Sequence, residues 1–372
     1  MKSQSHSCNA GSGADSGDTW GRFDAVYRVL NEAIAARAFP GCAFGALAGG
    51  KVALQGGLGR FTYEDDAPAV TAETIYDVAS LTKVVATTAA AMLLVQRGQL
   101  DLDARLGDLL PGFVVGRATE DAARWVTLRH LLAHNSGLPG YVEFFRTATT
   151  PAALWRACLE LPLKAKPGTR TEYSDPGFIL LGKALEVVMR EYLPAWVQRE
   201  VFAPLRMQAT GFCPAPELRW SIPPTEEDTW FRHRRIQGEV QDENASVLKG
   251  AAGNAGVFSN VPDVLRFAGA ILQGDPGLFD GAIVERFAQR QPPEGSDRAL
   301  GWDTPSKENS SAGKHFSSHS IGHLVFSGCS LWIDLDARVA AVLLTNRTWP
   351  DRKNQMIREV RPAFHDALRE AL

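Results

Sequence analysis

One apolar stretch restricts the fold of this chain more than any other feature of its sequence. Residues 80–97, SLTKVVATTAAAMLLVQR, are almost entirely apolar between their two ends, and Gly98 follows as a candidate helix C-cap. A helix that is apolar on all sides is buried on all sides. The stretch therefore predicts a helix at the centre of a large core, which a chain with 45% hydrophobic residues can build.

The two ends of the chain carry the signals of a β-sheet. Helical spacing of apolar residues predicts a helix over residues 21–37, and two strands that flank the turn AGGK predict a hairpin after it. Two more strands and an amphipathic helix over residues 353–372 are predicted at the other end. These elements together predict one sheet assembled from both ends of the chain. The predicted strands cover residues 42–47, 52–58, 329–333 and 339–345.

The middle of the chain has a different pattern. Helical patches broken by Pro and Gly, such as GFILLGKALEVVM, extend between about residues 106 and 245. We expect a flexible tail at residues 1–20, an α/β lobe formed by residues 21–105 and 246–372, and an inserted helical lobe at residues 106–245. The predicted fold class is therefore α/β (α+β) in two lobes, with an antiparallel sheet flanked by helices and a second, helical lobe.

Charge and cysteine content narrow the classes of partner. The formal net charge is −3, and charged residues are spread along the chain, which disfavours nucleic acid and an anionic membrane surface as partners. The five cysteines are scattered and show no C-x-x-C spacing, so neither a metal site nor redox chemistry is predicted. We expect a small-molecule or peptide-like substrate, no cofactor and no metal; the sequence leaves the oligomeric state open.

The N-terminal residues bear on cellular location. Residues 1–20 are rich in Ser, Gly, Asp and Asn and lack the apolar segment of a secretory signal. No window approaches the roughly 18 consecutive apolar residues expected of a membrane-spanning helix. The expected location is cytoplasmic, or periplasmic or secreted if a leader has been removed.

The start of the apolar stretch carries a chemical pattern. Ser80 and Lys83 stand at i and i+3, so they lie on one helix face at the end where free N–H groups carry partial positive charge. A serine hydroxyl is a weak nucleophile near neutral pH and needs a neighbouring base or positive charge to become reactive. A lysine next to a wholly apolar helix is costly to bury without a partner or a role. The pair is therefore a candidate nucleophile with its activating group.

Several blocks of sequence, in order, resemble one family. YDVASLTKVVATTAAAMLLVQRGQLDLD, VTLRHLLAHNSGLPG and PGTRTEYSDPGFILLG are similar to motifs of the penicillin-binding-protein and serine β-lactamase superfamily, in particular class C β-lactamases, related esterases and D-amino-acid peptidases. The resemblance covers roughly residues 21–370. It implies an α/β lobe, a helical lobe, an active site in the crevice between them, and catalysis through an acyl-serine.

The resemblance also implies roles for individual residues. Ser80 would attack the substrate carbonyl, Lys83 would help to activate it, and Tyr173 would accept the serine proton and return it to the leaving group. Because a free tyrosine has a pKa near 10, nearby positive charge is needed, and Lys83 supplies it. The oxyanion would be bound by the backbone N–H groups of Ser80 and Phe326.

Two motifs depart from the family pattern. The third motif, Lys or His followed by Thr or Ser and then Gly, is replaced here by His323-Leu324-Val325. Strand alternation predicts that Val325 projects to the same side as His323 and narrows the crevice, and Leu324 removes a hydroxyl that in relatives helps to hold a substrate carboxylate. Asp175 stands where relatives usually have Asn, and it is a candidate partner for Lys83.

These observations leave three functional hypotheses. The first is a serine hydrolase that acts on small esters or amides, with Phe326, His323, Asp175 and Val325 near the substrate. The second is a catalytically weakened homologue that serves as a binding or regulatory protein, since two motifs are altered. The third is a D-Ala-D-Ala carboxypeptidase or a β-lactamase proper.

Other polar residues are predicted to be structural. His130 and His134 are four residues apart, but the H-E-x-x-H pattern is absent and leucines lie between them, which favours capping or core positions. The cluster Asp242-Glu243-Asn244 is typical of a capped helix start, so we do not assign it to the catalytic set.

Overall fold

The computed structural model of the chain describes residues 19–274 and 277–372. Of the tail predicted at residues 1–20, residues 1–18 lie outside the described residues. The α-helices are α1 (Thr19–Arg22), α2 (Asp24–Ala35), α3 (Ala89–Gln96), α4 (Leu106–Leu109), α5 (Leu128–Leu132), α6 (Pro151–Leu159), α7 (Asp175–Met189), α8 (Leu193–Val197), α9 (Glu243–Val247), α10 (Val261–Gln273), α11 (Gly281–Ala288) and α12 (Ile357–Ala371). The strands are β1 (Gly41–Ala48), β2 (Lys51–Gly59), β3 (Tyr76–Asp77), β4 (Gly211–Phe212), β5 (Glu226–Asp228), β6 (Arg234–Ile236), β7 (Val257–Ser259), β8 (Ser320–Leu324), β9 (Ser330–Asp334) and β10 (Val339–Thr345).

A five-stranded antiparallel sheet joins the two ends of the chain. Its strand order is β2-β1-β10-β9-β8, so the N-terminal hairpin pairs directly with the C-terminal strands. The register places Phe44 opposite Leu343 and Gly45 opposite Val342. The prediction of one sheet built from both ends is confirmed.

Alternation along the strands gives the sheet two apolar faces. Phe44 of β1 and Leu343 of β10 pack with α2 and α12 in one buried cluster, whereas Val342 and Leu344 belong to the cluster that contains α10 and the central helix. Successive side chains of a strand point to opposite faces, so a strand buried on both sides is apolar throughout, as β10 is. Helices therefore cover both faces of the sheet.

The central helix forms as the apolar stretch predicts. It consists of a 3₁₀ turn (Ala79–Leu81), a π-helical segment (Lys83–Thr88) and α3, and nearly all its residues before Val95 are buried. By length and composition this helix could cross a membrane, although Thr82, Lys83, Thr87 and Thr88 interrupt its apolar run, and it is the one helix of the described residues that could. Its position explains the composition, because 83% of the stretch is buried inside the protein.

The middle of the chain is mostly helical but also contains short strands. Between residues 106 and 245 the structure has α4 to α9, together with β4, which pairs with β7, and the two-stranded ribbon of β5 and β6. Strands of two or three residues are too short to show periodicity, so the sequence did not predict them. The division into lobes at residues 105 and 245 stays a prediction.

A buried arginine of α12 fixes the turn between β8 and β9. Arg361 is 6% exposed and donates hydrogen bonds to the carbonyls of Val325 (2.5 Å), Gly328 (3.2 Å) and Cys329 (2.7 Å). Buried carbonyls need such partners, and a charged donor binds them more strongly than a neutral one. The C-terminal helix therefore holds the backbone that follows β8.

Arg361→Met should destabilise the protein, because the substitution leaves three buried carbonyls without their charged donor. We expect the free energy of unfolding to fall by about 3 kcal/mol in urea denaturation. Arg358→Met, on the exposed side of the same helix, is the matched control and should change it by less than about 0.5 kcal/mol. Equal effects of the two substitutions would show that the three hydrogen bonds do not contribute measurably to the free energy of unfolding.

Candidate active site

Ser80 lies at the start of the central helix, directly after a residue in an unusual backbone conformation. Ala79 has φ +41°, in the left-handed region that residues with a side chain rarely adopt. The buried carboxylate of Asp77 stabilises this turn by accepting hydrogen bonds from the N–H groups of Ala79 (2.8 Å) and Gln241 (2.7 Å). Burial raises the pKa of Asp77 to about 6, although those two N–H groups act in the opposite direction. The turn therefore fixes the orientation of Ser80 at the start of the central helix.

Lys83 is fully buried one turn further along, and its ammonium group has three acceptors. Its Nζ lies 3.0 Å from Ser80 Oγ, 2.6 Å from Asp175 Oδ1 and 3.1 Å from the carbonyl oxygen of Asn254. The pairing of Asp175 with Lys83 that the sequence suggested is confirmed. Burial acts to lower the pKa of Lys83, but the charge of Asp175 and the proximity of Tyr173 outweigh it, so the pKa is raised. The lysine is therefore a protonated hydrogen-bond donor near neutral pH.

Tyr173 completes the group of three residues predicted from the motifs. It lies two residues before Asp175, at the start of α7, where the side chain of Ser174 caps the helix by accepting from the N–H of Gly177 (3.1 Å). The Nζ of Lys83 is 4.8 Å from the centre of the tyrosine ring. The pKa of Tyr173 is raised, because burial and the charge of Asp175 outweigh the opposing effects of Lys83 and of the hydrogen bond with Ser80.

Two buried histidines flank the ring of Tyr173. The ring centre of His134 is 4.7 Å away and that of His323 is 5.8 Å away. Burial, with the charges of Arg298 and Lys83, holds the pKa of each histidine well below its usual range, so both are neutral. The Nδ1 of His134 accepts from the N–H of Ser174 (3.0 Å), which fixes its tautomer. Tyr173 is thus held between two uncharged rings.

The predicted site residues do not all reach the same space. Ser80, Tyr173, Asp175 and Phe326 line a cavity of about 400 Å³, and the exposed part of Phe326 forms one side of it. Lys83 lies beneath this cavity, in contact with Ser80. The geometry therefore brings a hydroxyl, an ammonium and a phenol together at one end of an open cavity.

His323 and Val325 are placed differently from the prediction. They share one side of the strand, as alternation requires, but that side faces the interior, where they are 1% and 4% exposed. Leu324 and Phe326 line the cavity instead. The expectation that Val325 narrows the crevice is therefore wrong, because the ring of Tyr173 packs over His323 and the opposite face of the strand meets the cavity.

Several residues near the site have structural roles that the sequence did not reveal. Asn254 supplies a backbone carbonyl to Lys83, which no side-chain pattern could indicate. Arg298 lies 5.5 Å from the ring centre of Tyr173 and comes from a loop without a motif. Asp242 caps α9, as expected, by accepting from the N–H of Ala245 (2.7 Å), but it also lines the cavity.

The two histidines of the α5 segment have the structural roles that the sequence predicts. His130 takes part in the capping box of α5, and His134 is a core residue.

The chain matches a known family over most of its length. The sequence pattern of the Beta-lactamase family fits residues 26–363, and the chain belongs to this family, whose members are serine hydrolases. The resemblance inferred from the motifs is confirmed, and so is the α/β fold class with its antiparallel sheet.

Individual relatives carry different names. An N-acetylmuramyl-L-alanine amidase of Bacillus subtilis (strain 168) is 29% identical over 313 residues, covering 74% of this chain and 68% of that protein. A provisionally named D-alanyl-D-alanine carboxypeptidase of Escherichia coli (strain K12) is 28% identical over 304 residues, covering 74% and 70%. The solved structure of EstCE1, described as a hydrolase with promiscuous acyltransferase activity, is 21% identical, covers 94% of this chain and 99% of its own, and superposes with a TM-score of 0.76, which supports the fold.

The contact between Lys83 and Asp175 should be measurable as coupling between the two positions. Lys83→Met and Asp175→Asn each remove one partner, whereas the double substitution removes both and leaves no unpaired charge. We expect the double variant to be more stable than the sum of the single effects predicts, by about 1–3 kcal/mol in urea denaturation. Additivity of the two single effects would mean that the ion pair is energetically unimportant.

Proposed function

We propose that the protein is a serine hydrolase that cleaves small esters or amides through an acyl-serine intermediate. The observation that carries this proposal is the contact of Ser80 Oγ with the buried ammonium of Lys83 at 3.0 Å, on the floor of an open cavity that Tyr173 also lines. A serine held against a fixed positive charge and a phenol has the groups needed for its activation.

The proton path follows from the same contacts. Tyr173 acts in its deprotonated form, which is the minor form near neutral pH because its pKa is raised, and the charge of Lys83 stabilises that form. As Ser80 Oγ forms its bond to the substrate carbonyl, the hydroxyl proton passes to the Tyr173 phenolate. The same proton then protonates the leaving alcohol or amine as its bond to the acyl carbon breaks. Water attacks the acyl-serine in the second half of the reaction, with Tyr173 taking its proton and returning a proton to Ser80.

The backbone near Phe326 fits the role of oxyanion donor. The carbonyl of Val325 accepts from Arg361, which belongs to the helix packed beneath the sheet. In a trans peptide the C=O and N–H groups point in opposite directions, so the N–H of Phe326 is directed away from that helix. This orientation supports the N–H of Phe326 as the second oxyanion donor, beside that of Ser80.

The lining of the cavity favours substrates without a carboxylate. Leu324 presents an apolar side chain where the family motif has a hydroxyl, and Arg352, the basic residue of the lining, is already paired with Glu226 and Glu243. A carboxylate would find neither a hydroxyl nor an unpaired cation at these positions. Esters or amides are therefore better candidates than β-lactams or D-Ala-D-Ala peptides.

Ser80→Ala should abolish turnover, because it removes the atom that forms the acyl bond. We expect the kcat/KM for p-nitrophenyl acetate to fall by at least about 10³-fold. A fluorophosphonate probe should add one adduct to the wild type and none to the variant, as seen by intact-mass analysis. Ser221→Ala, at an exposed position outside the cavity, is the control and should behave as the wild type.

Equal rates for the wild type and Ser80→Ala would refute the proposal. If the wild type also formed no adduct, the alternative of a binding or regulatory protein would be favoured instead.

Asp175→Asn should shift the pH dependence of the reaction. The negative charge of Asp175 raises the pKa of both Lys83 and Tyr173, so its removal lowers the proton affinity of the pair. The rising limb of the kcat/KM profile for p-nitrophenyl acetate, measured between pH 5 and 10, should move to lower pH by roughly one unit. Asp65→Asn removes an exposed charge outside the cavity and should leave the limb unmoved; a shift of Asp175→Asn to higher pH would contradict the assigned proton path.

A further inference from the structure

The cavity next to Ser80 has a wall that the proposed reaction does not use. Four carboxylates line the cavity, from Glu143, Asp175, Asp242 and Glu243, against one basic side chain, Arg352. Such an excess of one charge in the cavity of a hydrolase determines which substrates can enter it.

Ion pairing cancels only part of this negative charge. Asp175 is paired with Lys83, and Glu143 with Arg146 at 2.5 Å. Arg352 is shared between Glu243 at 2.7 Å and Glu226, so that group of three keeps one negative charge.

Asp242 is a second carboxyl group without a cationic partner in the part of the chain that the structure describes. One of its oxygens accepts from the N–H of Ala245, and no basic side chain of the described residues lies within 4 Å of its carboxylate. Burial and the nearby charge of Asp175 raise the pKa of Asp242 to about 7, because they outweigh the hydrogen bond from Ala245 and the charge of Lys83. A bound cation would favour the ionised form of this carboxyl.

Aromatic side chains stand beside these carboxylates. Tyr141, Trp230 and Phe326 line the same cavity, and Tyr141 donates to Glu243 at 3.2 Å. Arg352 lies 5.1 Å from the ring centre of Trp230 and 5.5 Å from that of Phe326, and Arg146 lies 5.1 Å from that of Trp230, so these two rings already interact with cations. Aromatic rings commonly surround a bound quaternary ammonium group, and a nearby carboxylate adds Coulomb attraction to it.

We propose that this cavity selects substrates that carry an ammonium group close to the scissile ester or amide, with Asp242 as the carboxylate that recognises the cation and Tyr141, Trp230 and Phe326 as the surrounding rings. The inference rests on the proposed function for the reaction at Ser80, but the recognition of the cation does not itself require turnover. Selection for cationic substrates would also explain why the carboxylate-binding groups of the family motif are missing, since this cavity would repel an anionic substrate.

Binding of a cation can be tested without catalysis. Choline and 3,3-dimethyl-1-butanol have nearly the same shape and differ in charge, and isothermal titration calorimetry on the wild-type protein compares them directly. We expect choline to bind at least about fivefold more tightly. Asp242→Asn keeps the helix cap and should reduce this preference to less than about twofold. Glu217→Gln, an exposed change of the same charge, should retain it.

Turnover provides the second measurement. The ratio of kcat/KM for acetylthiocholine to that for S-(3,3-dimethylbutyl) thioacetate should exceed about five in the wild type and fall at least about threefold in Asp242→Asn. Equal binding of the two alcohols, no binding of choline, or a preference that survives Asp242→Asn would overturn the inference. If the wild type showed no Ser80-dependent turnover but kept its preference for choline, the proposed hydrolase activity would be refuted and the cation site would still be supported.

Discussion

The ammonium group of Lys83 is the charge around which the site is organised. A lysine with no exposed surface inside an apolar helix is tolerated only where its donors are satisfied. Its acceptors come from three separate segments: Ser80 on the same helix, Asp175 at the start of α7, and the carbonyl of Asn254. The need to satisfy one buried cation therefore ties the central helix to the start of α7, directly after Tyr173, and to the loop before β7.

Hydrogen bonds on either side of that ammonium keep the loop before β7 in place. Thr87 donates to the carbonyl of Gly253 at 2.7 Å, and the hydroxyl of Thr82 accepts from the N–H of Val257 at 3.0 Å. These threonines look like interruptions of an apolar helix in the sequence. In the structure they fasten the helix to its neighbour, and their polar atoms are buried with partners.

Patterns that depend on periodicity were readable from the sequence, and contacts between distant segments were not. The central helix and the strands of the main sheet follow from apolar runs and turns, because burial of a whole element leaves a mark on many residues. The pairing of Asp175 with Lys83 could be suggested because both lie in motifs. The face of β8 that meets the cavity was predicted wrongly. Alternation shows which residues share a face, but the face that meets the cavity depends on where Tyr173 packs. Asn254 and Arg298 were missed because a backbone carbonyl and a loop arginine leave no pattern.

The left-handed conformation of Ala79 places protein stability and the geometry of the site in opposition. Glycine adopts that φ without strain, so selection for a more heat-resistant protein would favour Ala79→Gly, whereas alanine restricts the freedom of the turn that presents Ser80. The β-carbon of Ala79 therefore restricts the backbone directly before Ser80 at the cost of some strain. A screen for heat resistance in this protein would therefore be expected to select Ala79→Gly, which loosens the backbone directly before Ser80.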